Sequence, residues 1–151
     1  MVERFEQFSA LISSAYRQVQ KLERTEMETY GLKGAFAQYL LIMSHYPRGM
    51  TATQLCEACE KDKAAVSRVV AEMESKGLVV REGEGEQSYR ALLFLTDEGR
   101  RAAEFVSQRA SVAVIKANEG ISEENRRIFY ETLEQFNGNL QRICESGIPK
   151  N

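Results

Sequence analysis

Apolar residues recur along the first thirty positions with a helical period. Phe5, Phe8, Ile12, Ala15, Val19 and Leu22 follow one another at alternating spacings of three and four, with no Pro or Gly between residues 2 and 30. That pattern predicts one helix with a narrow apolar seam of the kind that packs on other helices. Gly31 and Gly34 bracket its end. A second helix is expected over residues 34–46, with Phe36, Tyr39, Leu40 and Met43 on one face, and the run Tyr46-Pro47-Arg48-Gly49 stops it. Thr51-Ala52-Thr53-Gln54 has the form of a capping box, so a third helix should start there and run to about residue 59. After the tight link Glu60-Lys61, Asp62 is a good N-cap for a fourth helix over residues 62–76. That helix turns Val66, Val69, Val70 and Met73 inward and leaves Lys63, Ser67 and Arg68 off the stripe. Gly77 closes it.

The period then changes. Residues 78–81 and 88–95 read as two strands joined by the polar turn 82–87, which makes a hairpin. Thr96 caps a long helix whose seam of Ala103, Val106, Ala110, Ala113 and Ala117 is built of small residues, and Gly120 ends it. Ser122 caps the last helix, where Phe129, Leu133, Phe136, Leu140 and Ile143 repeat at four and three. The fold class expected is mainly α. A winged helix-turn-helix with a hairpin wing occupies residues 32–97, a long helix precedes it over 1–31, two more follow over 98–146, and 147–151 is a tail.

A helix-turn-helix presents its second helix to the DNA major groove. Here the exposed N-terminal residues of that helix are Lys63, Ala64, Ser67 and Arg68. Arg68 can pair with guanine through two hydrogen bonds, Ser67 can donate or accept, and Ala64 can touch a thymine methyl. Thr51 and Thr53 open the preceding helix, where hydroxyls and backbone N–H groups suit a phosphate, and Lys61 adds charge at the turn. Charge alone does not carry the idea. Residues 51–96 hold six Lys/Arg against eight Asp/Glu, the whole chain has a net charge of −2, and basic residues on one exposed helix face are ordinarily a solvated face.

Order and spacing add more. The strings Gln54-Leu55-Cys56-Glu57, Asp62-Lys63-Ala64-Ala65-Val66-Ser67-Arg68-Val69-Val70, Glu74-Ser75-Lys76-Gly77-Leu78-Val79 and Leu95-Thr96-Asp97-Glu98-Gly99 appear in the order in which the MarR family, the multiple-antibiotic-resistance regulators, carries them. The chain resembles that family over nearly its whole length. The resemblance implies a homodimeric, sequence-specific DNA-binding transcriptional regulator, often a repressor released by a small-molecule effector. It also implies that the outer helices dimerise, that the operator is pseudo-palindromic, and that Lys63, Ala64, Ser67 and Arg68 contact double-stranded DNA. An arginine near the wing tip would enter the minor groove. The wing departs from the family's Asp-x-Arg arrangement, since the matching positions hold Gln87 and Tyr89, with Arg90 one residue later. In a strand that shift can turn a side chain to the other face. Glu82, Glu84 and Glu86 place acids there too. The wing is therefore expected either to contact DNA only through Arg81, Tyr89 or Arg90 or to contribute little.

In this family the effector pocket lies between the dimer helices and the DNA-binding part, which makes Tyr16, Tyr30, Phe36, Tyr39, His45 and Tyr46 the candidates, although core packing is the ordinary job of such aromatics. Cys56-Glu57-Ala58-Cys59 lacks the second pair that a structural zinc site needs and the strand–helix setting of a redox motif. Both cysteines are expected to be small buried apolar residues. No metal or cofactor is expected. With His45 the single histidine, and no Gly-rich nucleotide motif or HExxH, the chain is not expected to be an enzyme. Its longest apolar runs, 39–43 and 91–95, are too short to span a bilayer, and the first residues carry acids rather than an apolar leader, so a cytoplasmic protein with no membrane partner is expected. The acidic wing leaves one alternative function, a winged-helix protein–protein adaptor with little DNA affinity.

Overall fold

A computed structural model describes residues 2–83 and 91–148. Its elements are α1 (Val2–Thr29), α2 (Phe36–Ser44), β1 (Met50–Thr51), α3 (Ala52–Cys59), α4 (Lys63–Ser75), β2 (Val79–Glu82), β3 (Leu92–Leu95), α5 (Asp97–Ala117) and α6 (Glu123–Ser146). The expected order is present, with one addition. The two-residue strand β1 pairs antiparallel with β3, Met50 facing Leu93 and Thr51 facing Leu92, so the hairpin becomes a three-stranded sheet in the order β1-β3-β2. Two residues are too few to show a period in a sequence, and Thr51 is also the N-cap of α3. α2 begins two residues later than its apolar pattern suggested. The chain divides into two compact units, residues 1–111 and 112–151.

The first unit has a single core. Phe36, Leu40 and Met43 of α2, Leu55 of α3, Val66, Val70 and Met73 of α4, Leu93 of β3 and Ala102 of α5 are all at most 3% exposed. Phe36 and Tyr39 belong to this core at 0% and 1% exposure, which corrects their placement as pocket residues. α1 contributes Met27. Its seam at Phe5, Ile12, Val19 and Leu22 is 40–62% exposed. A bidentate pair, Arg109 donating to Glu26 at 2.6 and 3.1 Å, holds the end of α1 to α5, beside the tilted contact of the Tyr30 and Phe105 rings at 4.8 Å.

The end of α4, the sheet and the start of α5 meet at one point. Gly77 takes φ +70, a left-handed value that L side chains resist, and lets the chain turn from α4 into β2. Thr96 then ties the turn to α5. Its backbone N–H donates to the Leu78 carbonyl at 3.0 Å, its hydroxyl to the Gly77 carbonyl at 2.5 Å, and the hydroxyl accepts from the Gly99 N–H at 3.0 Å. A Cβ at Gly99 would collide with the Leu78 carbonyl oxygen, so no side chain fits there.

The second unit is the end of α5, a turn through Gly120, and α6. The Ser122 hydroxyl caps α6 by accepting from the Asn125 N–H at 3.2 Å, and Glu123 and Glu124 stand at the positive end of the helix dipole. No residue of α6 is buried. In α5 the expected small-residue seam is covered only in part, with Ala103 and Val106 buried but Ala110 and Ala117 exposed.

Two outcomes follow for stability. Gly99→Ala is expected to destabilise by about 2–3 kcal/mol through overpacking, read as a lower denaturant midpoint. An unchanged midpoint would mean that α5 shifts freely away from Leu78. The hydrogen bonds from Arg109 hold the Glu26 carboxyl below its ordinary value of 4.5. A depressed carboxylate contributes stability above its unfolded pKa and loses it as pH falls through its folded pKa. Glu26→Gln should therefore melt below the parent chain at neutral pH, and the gap should close as the solution is acidified below about 4.5. A gap that is constant across that range would show that the pair contributes through packing alone.

Candidate nucleic-acid interface

The capping box at the start of α3 forms as its sequence requires. The Gln54 N–H donates to the Thr51 hydroxyl at 3.2 Å, and the Thr51 N–H donates to the Gln54 side-chain oxygen at 2.8 Å. The Thr51 hydroxyl is thus engaged within the cap, while Thr53 is exposed one residue into the helix. α3 ends at Glu60, which adopts φ 52 and ψ 43. A glycine would take that left-handed conformation freely, whereas for glutamate it costs about 1–2 kcal/mol. The return is a sharp corner. The Lys61 N–H reaches back to the Cys56 carbonyl at 3.1 Å, and Asp62 is already placed to cap α4 by accepting from the Ala65 N–H at 2.9 Å.

α4 has two faces. Val66, Val70 and Met73 enter the core, and this fixes the helix on its axis. Lys63, Ala64, Ser67 and Arg68 are all exposed and lie within roughly 140° of arc around the first turns. Among the described residues neither Lys63 nor Arg68 has an ion-pair partner, so the cationic ends of this face are available to a ligand. The structure brings together the four residues that the sequence had grouped.

Two other predicted cations point elsewhere. The Lys61 ammonium sits 5.6 Å from the centre of the Tyr39 ring, a cation–π distance. It also faces Glu23 of α1, whose carboxyl burial pushes up while Lys61 draws it down. Arg81 of β2 turns back onto α4 and donates to the Glu74 carboxylate at 3.3 and 3.4 Å. Glu72, on the same helix, pairs with Lys33 from the α1–α2 link. These partners lie far apart or across a turn in sequence, where periodicity carries no signal. The predicted wing residues Tyr89 and Arg90 lie outside the described residues.

The six candidate effector residues do not converge. Tyr16 is 61% exposed on α1 and its phenol oxygen accepts from Gln20, Tyr30 stacks on Phe105, Phe36 and Tyr39 are in the core, and His45 is exposed at the end of α2. Tyr46 alone lines a cavity of about 390 Å³ between the end of α2, β3 and α5, with Met43, Phe94, Arg100, Glu104 and Ser107 among the walls. Arg100 and Ser107 were not legible as lining because they lie off the apolar seam of α5. Cys59 is buried as expected, but Cys56 is only half-buried. Among the described residues no three His, Cys, Asp or Glu side chains gather as a metal site, and no helix is long and apolar enough to cross a membrane.

Comparison with known proteins agrees with this geometry. Residues 30–88 match the model of the MarR family. The uncharacterized HTH-type transcriptional regulator YdgJ of Bacillus subtilis (strain 168) is 28% identical over 104 residues, 69% of this chain and 63% of that protein, so the chain spans less than two thirds of this curated relative. Among solved structures, the transcriptional regulator SlyA superposes with a TM-score of 0.82 at 17% identity over 91% of this chain and 96% of its own. A MarR transcriptional regulator from Methanosarcina mazei Go1 gives 0.80 at 22% identity over 91% and 99%. The S. aureus MepR–DNA complex gives 0.78 at 18% identity over 88% and 96%. Its segment 30–88 is thus similar to the MarR family, and its fold over most of its length is that of solved MarR-family regulators.

Proposed function

We propose that this chain is a cytoplasmic, DNA-binding transcriptional regulator that acts as a homodimer on a pseudo-palindromic operator and represses until a small molecule releases it. The observation that carries the reading is the N-terminal face of α4, with Lys63, Ala64, Ser67 and Arg68 exposed on a helix whose opposite face is locked into the core. A helix of this size fits the major groove, and its first residues are the ones that reach base edges. That a neighbour of the same fold, MepR, was solved with DNA supports it further.

Dimerisation is supported by apolar surface that the chain leaves uncovered. Phe5, Val19 and Leu22 of α1 and Ile115 of α5 are 51–67% exposed, and Phe129 of α6 is 56% exposed. Aligned at helical spacing, such residues form seams that a second copy buries. Two copies would present two α4 helices to successive major grooves about 34–36 Å apart. The cavity beside Tyr46 touches both α2 and α5, so an effector bound there would favour one spacing of the α4 helices over another.

Arg68→Ala is expected to weaken binding to the preferred sequence by about 1–3 kcal/mol and to relax preference at one base position, measured by fluorescence anisotropy on a panel of duplexes. Equal weakening on every duplex would make Arg68 a phosphate contact. No change on any duplex would favour the protein–protein adaptor. With Arg81 paired to Glu74 and Lys61 set over Tyr39, few phosphates are neutralised, so the slope of log affinity against log salt should fall well short of about ten. A slope that steep would mean that these cations leave their partners on DNA.

A further inference from the structure

α3 ends in two thiols that the nucleic-acid face does not use. Cys56 and Cys59 stand three residues apart, so their side chains share one face of the helix. Cys59 is 4% exposed and Cys56 half-buried, and both pack against the core. Tyr39 lies beside the pair, its phenol pushed up first by burial and then by the two sulfurs. Burial also pushes the Cys59 thiol up, while the ammonium of Lys61, over the Tyr39 ring, pulls it down. Of the two thiols Cys59 is closed off from solvent and Cys56 is the partly exposed one.

Geometry separates the chemistries that such a pair could take. A disulfide needs Cβ atoms about 3.5–4.5 Å apart. Residues three apart on a helix hold them at about 5–6 Å. Closing that bond would unwind the last turn of α3, where the Lys61 N–H is bonded to the Cys56 carbonyl. A bridging metal avoids this, since two metal–thiolate bonds of about 2.3 Å, the zinc value, span sulfurs up to about 4.6 Å apart. Zinc itself requires four ligands, and no third His, Cys, Asp or Glu joins the pair among the described residues. The ion that two soft thiolates satisfy alone is monovalent copper.

We infer that Cys56 and Cys59 form a two-coordinate site for copper(I). Both thiols lose their protons to solvent, two sulfur–copper bonds form, and nothing is oxidised or reduced. The product carries one net negative charge, and Lys61 is the cation beside it. This site stands apart from the DNA-binding reading and does not depend on it.

The test is an anaerobic titration of the reduced full-length chain with copper(I) in competition with a chromophoric copper(I) chelator. One ion per chain is expected, with an ultraviolet thiolate-to-copper charge-transfer band. Cys144→Ser should leave both unchanged. Cys56→Ser and Cys59→Ser should each lose the band and the competition while keeping the helical circular dichroism of the parent. Zinc added instead should compete weakly. The site is refuted by failure of the parent chain to retain the ion, by retention in either serine variant, or by loss in Cys144→Ser. It is also refuted if the stripped protein has lost two free thiols and two hydrogens of mass, which would mean that a disulfide had formed.

Discussion

The helix-turn-helix and sheet of the first unit depend on one close approach, that of Gly99 to the Leu78 carbonyl. α4 can present a fixed outer face only if its far end is fixed, and that end is the Gly77–Leu78 turn. Thr96 hydrogen-bonds both carbonyls of this turn and also receives the Gly99 N–H. One threonine and one glycine therefore join α4, the sheet and α5. α5 itself continues beyond the core with exposed apolar residues, Val112, Val114 and Ile115.

Electrostatics on the same body is arranged to limit charge rather than to display it. Of the predicted cations, Lys61 lies over an aromatic ring and Arg81 lies on a carboxylate of α4, while Glu72 takes Lys33. Each of these surface pairs is worth little in stability. Their effect is to leave Lys63 and Arg68 as the available positive charge on the outer face of α4.

Much of this was legible in the sequence, for identifiable reasons. Helices with caps and long periods were placed to within a residue or two, because Thr51, Asp62 and Ser122 mark starts and Gly77 and Gly120 mark ends. The exposed set on α4 followed from the same period. What escaped was long-range or too short to have a period. β1 is two residues long, and Arg81 meets Glu74 only after the chain has turned at Gly77. The candidate pocket residues did not assemble because aromatic content cannot separate core from cavity. Phe36 and Tyr39 face inward from α2, while Tyr46, past the end of that helix, lines the cavity.

Selection of bound duplexes from a random-sequence pool at moderate salt tests the central claim most directly. If the outer face of α4 reads bases in a two-fold pair, the enriched duplexes will share two inverted half-sites whose centres lie about one helical turn apart. Recovery of duplexes with no shared sequence, or of a single half-site without its inverted mate, would contradict it.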